Sequence, residues 1–143
     1  MAQGVYIAFD FGEKRVGLAH TDPMQLIASA LDTLPPKQVE TFLKRYMETE
    51  KVVGFVVGQP TQKDGTPASV ETKILAFIKR LQILFPAIPV FREEERYTSK
   101  IAAYTLLQSG VNKKKRKEKG TLDRISATLI LQSFLERPKT HSI

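Results

Sequence analysis

Acidic residues at three widely separated places in the chain are of a type and position that would let them share a cation. Asp10 lies in an apolar stretch near the start, Glu94 and Glu95 follow a second, and Asp123 begins the last helical pattern. An unpartnered carboxylate in an apolar sheet is costly, and carboxylates brought close together need a counter-charge. Oxygen ligands suit Mg²⁺ or Mn²⁺, and the chain has no cysteine for a thiolate zinc site. The acids therefore predict a divalent-metal site.

Each acid also has a simpler structural explanation. Asp10 would cap the turn that follows it, since aspartate readily hydrogen-bonds nearby backbone there. Glu95 would form a surface ion pair with Arg92 or Arg96, which contributes little to stability. Asp123 would be a solvent-exposed acid in the first turn of its helix, where it interacts favourably with the helix dipole. The helical spacing, however, places it on the apolar stripe. The residues of that stripe are Ser126, Ala127, Ile130 and Phe134.

Basic residues are concentrated in one short segment. The chain has a net charge of +7, and residues 113–119 hold six cations against one glutamate. So dense a segment beside a nearly neutral body predicts a flexible arm that binds a polyanion, most simply nucleic acid. The alternative is a solvated loop that only keeps the protein in solution. The cations are Lys113, Lys114, Lys115, Arg116, Lys117 and Lys119.

Length and composition indicate one globular domain. The chain has 143 residues, of which 42% are hydrophobic and 26% charged, which are ordinary proportions for a soluble protein. We expect a single domain over residues 1–137, followed by a frayed tail over 138–143. With no cysteine, no secretory leader and no apolar run of membrane-spanning length, a cytoplasmic location is expected.

The hydrophobic pattern predicts which elements position these residues. A hairpin over residues 5–20 and a strand over 26–34 come first, and Pro35-Pro36 ends the strand. Helical and strand patterns then alternate: a helix over 37–50, a strand over 51–58, a helix over 70–85, a strand from 88, a helix from Thr98 or Ser99 to Gly110, and a helix over 121–136. This order predicts a three-layer α/β domain. Its mixed five-stranded sheet would join an antiparallel meander to parallel strands, with helices on both faces.

Several of these motifs together resemble one family. They are Asp10-Phe-Gly-Glu-Lys-Arg-Val-Gly17, Thr21-Asp22-Pro23, Val57-Gly58-Gln59-Pro60 with Asp64-Gly65-Thr66, Glu94-Glu95-Arg96 with Thr98, and Lys119-Gly120-Thr121-Leu122-Asp123. In order and spacing they resemble the YqgF/RuvX family of bacterial proteins, which have a Holliday-junction-resolvase-like, RNase H-type fold. The resemblance implies a metal-dependent nuclease that matures the 5′ end of small-subunit (16S) ribosomal RNA.

The resemblance also implies roles for individual residues. Asp10, Glu95 and Asp123 match the family's catalytic acids, which would bind one or two Mg²⁺ or Mn²⁺ ions. Lys14, Arg15 and Arg96 would hold flanking phosphates, while the basic segment 113–119 adds salt-sensitive affinity for RNA or structured DNA.

This sequence departs from the family pattern at two positions, with Glu94 in place of the usual Asp and Gln59 in place of the usual Leu. Glu94 keeps the charge on a longer side chain, so the metal ligand at this strand is either Glu94 or Glu95. Resolvases of this fold also tend to place an acid at the end of the fourth strand, where this chain has Gly58-Gln59-Pro60.

Three other functions fit parts of the pattern. A strand aspartate followed by a glycine-containing hairpin also begins the phosphate site of actin-like ATPases, but those proteins close two lobes over the nucleotide, and 143 residues are too few for two lobes. A nucleic-acid-binding module that acts in transcription or ribosome assembly without cleavage would keep the fold, although retention of all three acids argues against it. A DNA junction resolvase is the remaining alternative.

Overall fold

A mixed five-stranded sheet forms the centre of the computed structural model, which describes residues 3–60, 68–95 and 121–136. In chain order the elements are β1 (Val5–Phe11), β2 (Val16–Thr21), β3 (Ala28–Leu34), α1 (Pro36–Tyr46), β4 (Val52–Gln59), α2 (Glu71–Leu84), β5 (Val90–Glu94) and α3 (Thr121–Glu136). The strands lie in the order β3-β2-β1-β4-β5. β1, β2 and β3 form an antiparallel meander, whereas β4 is parallel to both β1 and β5. The predicted mixed sheet is confirmed.

Strand alternation divides the apolar side chains between two cores. On one face, the fully buried Phe9 and Phe55 pack with α1 and α2, to which Leu43 and Ile74 belong. On the other face, α3 alone among the described helices covers smaller residues such as Ala8. Successive side chains of a strand point to opposite faces, so each central strand contributes to both cores. The result is the predicted three-layer arrangement, with α3 close to the sheet.

Two predicted boundaries were wrong because local hydrogen bonds compete with regular structure. The first helix ends at Tyr46 rather than at residue 50, and the backbone continues in turns. The third strand begins at Ala28 rather than at residue 26. The side chain of Asp22 accepts hydrogen bonds from the backbone N–H groups of Met24, Leu26 and Ile27 at 2.7–3.0 Å. This turn keeps residues 24–27 out of the ladder.

The fifth strand also begins two residues later than predicted, at Val90; the remaining boundaries agree with the sequence patterns to within one residue, and the last helix spans 121–136 as predicted. The predicted helix after Thr98, the basic segment 113–119 and the tail 138–143 lie outside the described residues. The single-domain boundary at 137 stays a prediction. Among the helices that the structure describes, none is both long and apolar enough to cross a membrane.

Candidate active site

Asp10 and Glu95 meet at the edge of the sheet where β1, β4 and β5 end. Asp10 is the penultimate residue of β1, and Glu95 directly follows β5. The Glu95 backbone N–H donates to the Gln59 carbonyl oxygen over 3.1 Å, which extends the β4–β5 ladder by one step. The two side chains are hydrogen-bonded to each other. Asp10 therefore lies within the sheet and not in the turn, and the turn-capping explanation is wrong.

Gly58 makes room for this pair. Gly58 pairs with Glu93 across β4 and β5. Continuing the β1–β4 register by one residue places Asp10 beside Gly58 on the other side. A Cβ atom at position 58 would lie 2.7 Å from the Glu95 carboxyl carbon and 2.8 Å from Cδ1 of Ile130. Because real Cβ atoms essentially never come so close, the glycine leaves the space in which the Glu95 carboxyl sits.

The surroundings of the pair disfavour two negative charges. Burial raises the pKa of Asp10 to about 6, and the nearby charge of Asp123 adds to the effect, while the hydrogen bond from Glu95 opposes it. Burial raises the pKa of Glu95 to about 9, and the charge of Asp10 contributes in the same direction. The two carboxyl groups titrate as a unit. Near neutral pH the pair therefore keeps one proton.

Asp123 lies beside the pair but bonds elsewhere. Its Oδ2 accepts a hydrogen bond from Nε of Arg15 over 2.9 Å, and its side chain is 28% exposed. The half-buried position and the influence on Asp10 argue against an outward acid that only favours the helix dipole. Gly17, which pairs with Asp10 across β1 and β2, lies beneath the backbone of Asp123. The first turn of α3 thus packs directly on β2.

Two of the three predicted metal ligands, Asp10 and Glu95, are in contact with each other, while Asp123 is bonded to Arg15. Within residues 3–60, 68–95 and 121–136, no three acidic or histidine side chains are grouped closely enough to hold a metal ion. The donor set nevertheless fits a hard divalent cation, since Asp10 and Glu95 offer carboxylate oxygens and share a proton that a cation would replace. Asp123 would join them if its carboxylate turned from Arg15.

The predicted phosphate-binding cations are only partly described. Lys14 is exposed in the β1–β2 turn, where the Gly12 N–H donates to the Arg15 carbonyl oxygen over 2.9 Å. Glu13 of the same turn pairs with Lys73 of α2 over 3.0 Å. Arg96 and residues 113–119 lie outside the described part of the chain. The turn therefore places one exposed cation and one half-buried cation next to the acids.

Arg92 has a role that the sequence interpretation missed. Its guanidinium donates to both oxygens of Glu71 at 2.8 and 2.9 Å and to two carbonyl oxygens at the end of β4. Arg92 lies on the sheet face opposite Glu95, although its charge lowers the pKa of that carboxyl. The explanation of Glu95 as a surface partner of Arg92 is therefore wrong. Strand alternation already indicated the separation, because residues 92 and 95 fall on opposite faces.

Arg124 was also missed. It follows Asp123 in the first turn of α3, and its Nη1 donates to the Thr33 hydroxyl oxygen on β3 over 3.4 Å. Thr33 pairs with Gly17, which pairs with Asp10, so these residues form one row across the sheet. Arg124 thus places a second guanidinium beside Arg15, on the β3 side of the acids. The sequence did contain a signal for Arg124, because a cation directly follows a predicted site acid at the start of a helix.

Comparisons with known proteins agree on the family and the fold. A family model described as RuvX, Holliday junction resolvase, matches residues 4–137. A protein of Amoebophilus asiaticus named "Putative pre-16S rRNA nuclease" is 47% identical over 140 residues, covering 98% of this chain and 99% of its own. A protein of the same name from Flavobacterium johnsoniae is 44% identical over 129 residues, covering 90% and 94%.

Solved structures show the same architecture at low sequence identity. Thermus thermophilus RuvC in complex with a Holliday junction substrate superposes with a TM-score of 0.58 at 14% identity, covering 98% of this chain and 99% of that one. A second structure of Thermus thermophilus RuvC gives 0.53, also at 14% identity, covering 91% and 93%. The likeness identifies the fold as RNase H-like. With a family model matched over nearly its whole length and relatives above 40% identity, the chain belongs to the RuvX family.

Proposed function

We propose that this protein is a nuclease that hydrolyses phosphodiester bonds in the precursor of small-subunit ribosomal RNA. The observation that carries the proposal is the hydrogen-bonded Asp10–Glu95 pair at the edge of the sheet, with Asp123 beside it. The names of the relatives from Amoebophilus asiaticus and Flavobacterium johnsoniae support the choice of substrate.

The three acids would hold Mg²⁺ or Mn²⁺, one or two ions. When bound, such a cation lowers the pKa of a water molecule and stabilises charge on the leaving oxygen. Asp10 and Glu95 would release their shared proton as they become ligands, and Asp123 would complete the acidic set. The space above Gly58 fixes where the Glu95 carboxyl lies, and the ladder bond to Gln59 fixes its backbone.

The cations around the acids would bind the phosphate groups on either side of the cleaved bond. Lys14 and Arg15 lie in the turn next to the acids, and Arg96 directly follows Glu95 in sequence. Basic side chains on phosphates position a nucleic acid without reading its sequence. Residues 113–119 would add affinity that declines with salt. Binding and chemistry would thus rest on different residues.

A matched pair of variants tests the proposal. Glu95→Gln and Glu94→Gln each replace a carboxyl group by an amide of the same shape at neighbouring positions, but Glu94 is exposed while Glu95 is bonded to Asp10. We expect Glu95→Gln to reduce cleavage of a labelled 5′-extended ribosomal RNA fragment by orders of magnitude, and Glu94→Gln to change it little. Both variants are assayed with Mg²⁺, Mn²⁺ or a chelator. Equal loss in the two variants would overturn the assignment of Glu95, and undiminished cleavage in chelator would overturn the role of the metal.

A second candidate function is the resolution of four-way DNA junctions. The family description and the RuvC likeness favour it. A junction and the ribosomal RNA fragment, offered together at equal concentration, distinguish the two. Preferential cutting of the junction at paired positions would support resolution, and preferential cutting of the RNA would support ribosomal RNA maturation. Asp10→Asn is the control for contaminating nucleases, since activity from this protein has to fall in that variant.

A further inference from the structure

A groove on the outer side of α1 lies outside the acidic site and has a distinct chemistry. It has a volume of about 330 Å³ and begins where β3 meets α1. Two cations, two uncharged polar side chains and two apolar ones line it, and no carboxylate does. The lining residues are Leu34, Lys37, Gln38, Thr41, Phe42 and Arg45.

The side chains of this groove suit a nucleotide. Lys37 and Arg45 are exposed, and neither forms an ion pair with another described residue. Phe42 is half-buried against the core, with its ring stacked on Tyr46 at 6.0 Å between centroids. Cations that neutralise phosphates, together with an aromatic ring against which a base packs, are how proteins bind single strands without sequence preference.

The groove begins at the edge of the sheet on which the acids lie, but it opens on the α1 face, whereas the acids lie on the α3 face. Phe11, Val16 and Leu34 form one row across β1, β2 and β3, because each pairs with the next. Neighbouring strands are about 4.8 Å apart, so Leu34 is about 10 Å from the end of β1. Arg15 and Arg124 lie along this interval, since Arg15 precedes β2 and Arg124 contacts Thr33 on β3. Arg15 and Arg124 therefore line the path on the α3 face, and Lys37, three residues after Leu34, continues it around the end of β3 onto the α1 face.

We propose that the α1 groove binds a nucleotide of a single-stranded segment flanking the bond cleaved at the acids. The proposal rests on the proposed function, since it places the bound strand at Asp10 and Glu95. It adds a direction: the strand leaves the acids over β2 and β3, passes Arg15 and Arg124 on the α3 face, rounds the end of β3 and enters the groove at Lys37. Lys37 and Arg45 contact phosphates, and Phe42 packs against a base.

Binding measurements with charge-matched variants test this path. The double variant Lys37→Gln/Arg45→Gln removes two cations from the groove. The control Lys51→Gln/Lys79→Gln removes two exposed lysines elsewhere, Lys51 lying before β4 at the far end of the sheet. Fluorescence anisotropy follows labelled single-stranded RNA of about 4 and about 16 nucleotides over a series of salt concentrations.

For the longer RNA, we expect the groove variant to lower the slope of log affinity against log salt by about 1.4, since each lost contact to a single strand contributes about 0.7. The control should leave the slope unchanged, and the short RNA bound at the acids should not distinguish the two. A slope equal to that of the control would overturn the groove while leaving the nuclease proposal intact. Failure of the wild type to bind any nucleic acid would overturn both.

Two further variants guard against a folding defect. Thr41→Glu adds a negative charge inside the groove, and Thr49→Glu adds one to the exposed turn after α1. We expect Thr41→Glu alone to weaken binding of the longer RNA. Phe42→Leu keeps an apolar side chain but removes the ring, and we expect binding about fivefold weaker or worse. Equal affinity of the Thr41 and Thr49 variants, at equal melting temperatures, would contradict the proposal.

Discussion

Gly17 is the position where one added methyl group should damage both the fold and the site. A Cβ atom there would lie 2.1 Å from the carbonyl oxygen and 2.4 Å from the carbonyl carbon of Asp123. These are backbone atoms, which no side-chain rotation moves away. Ordinary contact begins at about 3.4 Å, so in Gly17→Ala the first turn of α3 has to retreat by about 1 Å or more.

The retreat should have two measurable consequences. Overpacking of this kind destabilises a protein by about 1–3 kcal/mol, even though Gly→Ala in an open strand would stabilise it slightly. Asp123 moves with the helix, away from Asp10, and a misplacement of about 1 Å in a catalytic group costs about 100-fold in rate. Urea unfolding followed by circular dichroism measures the first consequence. Cleavage per folded molecule measures the second.

Gly54→Ala is the matched control. Its Cβ would lie 2.5 Å from the Tyr6 ring, on the same face of the sheet as Gly17 but two strands away from it and far from the acids. We expect Gly54→Ala to lose stability while keeping its rate per folded molecule. If Gly17→Ala were as stable as the wild type, the contact of α3 with β2 would be less close than described. If it lost stability without losing rate, Asp123 would have no part in the chemistry.

Three further predictions follow from the charged groups. In chelator, the free energy of unfolding should fall as pH rises from about 4 through the raised pKa values of Asp10 and Glu95, about 6 and about 9. The reason is that the folded state binds more protons than the unfolded chain in that range. Urea unfolding of Asp10→Asn should show a weaker pH dependence, and an unchanged pH dependence would contradict the shared proton. Mn²⁺ should raise the melting temperature of the wild type more than that of Asp10→Asn, and equal shifts would exclude Asp10 as a ligand. Arg92→Met should cost about 3–5 kcal/mol, because it leaves the Glu71 carboxylate buried without its cation, and Arg92→Met/Glu71→Leu should recover most of the loss in urea unfolding.

The order and type of the elements could be predicted because each has a strong apolar period. The stretch over residues 52–57 is apolar without alternation, as a strand covered on both faces has to be, and it forms β4, an interior strand between β1 and β5. The boundaries that were wrong lie where a polar side chain supplies an alternative hydrogen-bond partner. Asp22 is the example, since its carboxylate accepts three backbone N–H groups and delays β3. Periodicity carries no information about such local competition.

The meeting of Asp10 and Glu95 could be anticipated from the topology, but the partner of Asp123 could not. Parallel strands end at one edge, so acids at the ends of β1 and β5 approach each other once the strand order is known. Arg15 reaches Asp123 across 108 positions of sequence. That contact depends on how closely α3 approaches β2, which is set by the absence of a side chain at Gly17. A sequence pattern shows the glycine but not what lies above it.

Gly58 lets Glu95 of the β5 end place a carboxyl group at the end of β4, where β4 itself carries no acid. The resemblance to resolvases of this fold predicts an acid at the end of the fourth strand, and this chain has Gly58-Gln59-Pro60 there. In the structure, the space that a side chain at position 58 would need is occupied by the carboxyl group of Glu95, which comes from the neighbouring β5. The glycine and the glutamate thus act together, since filling position 58 would displace Glu95 from Asp10. This packing supports the proposal that Glu95, and not the exposed Glu94, is the third acid.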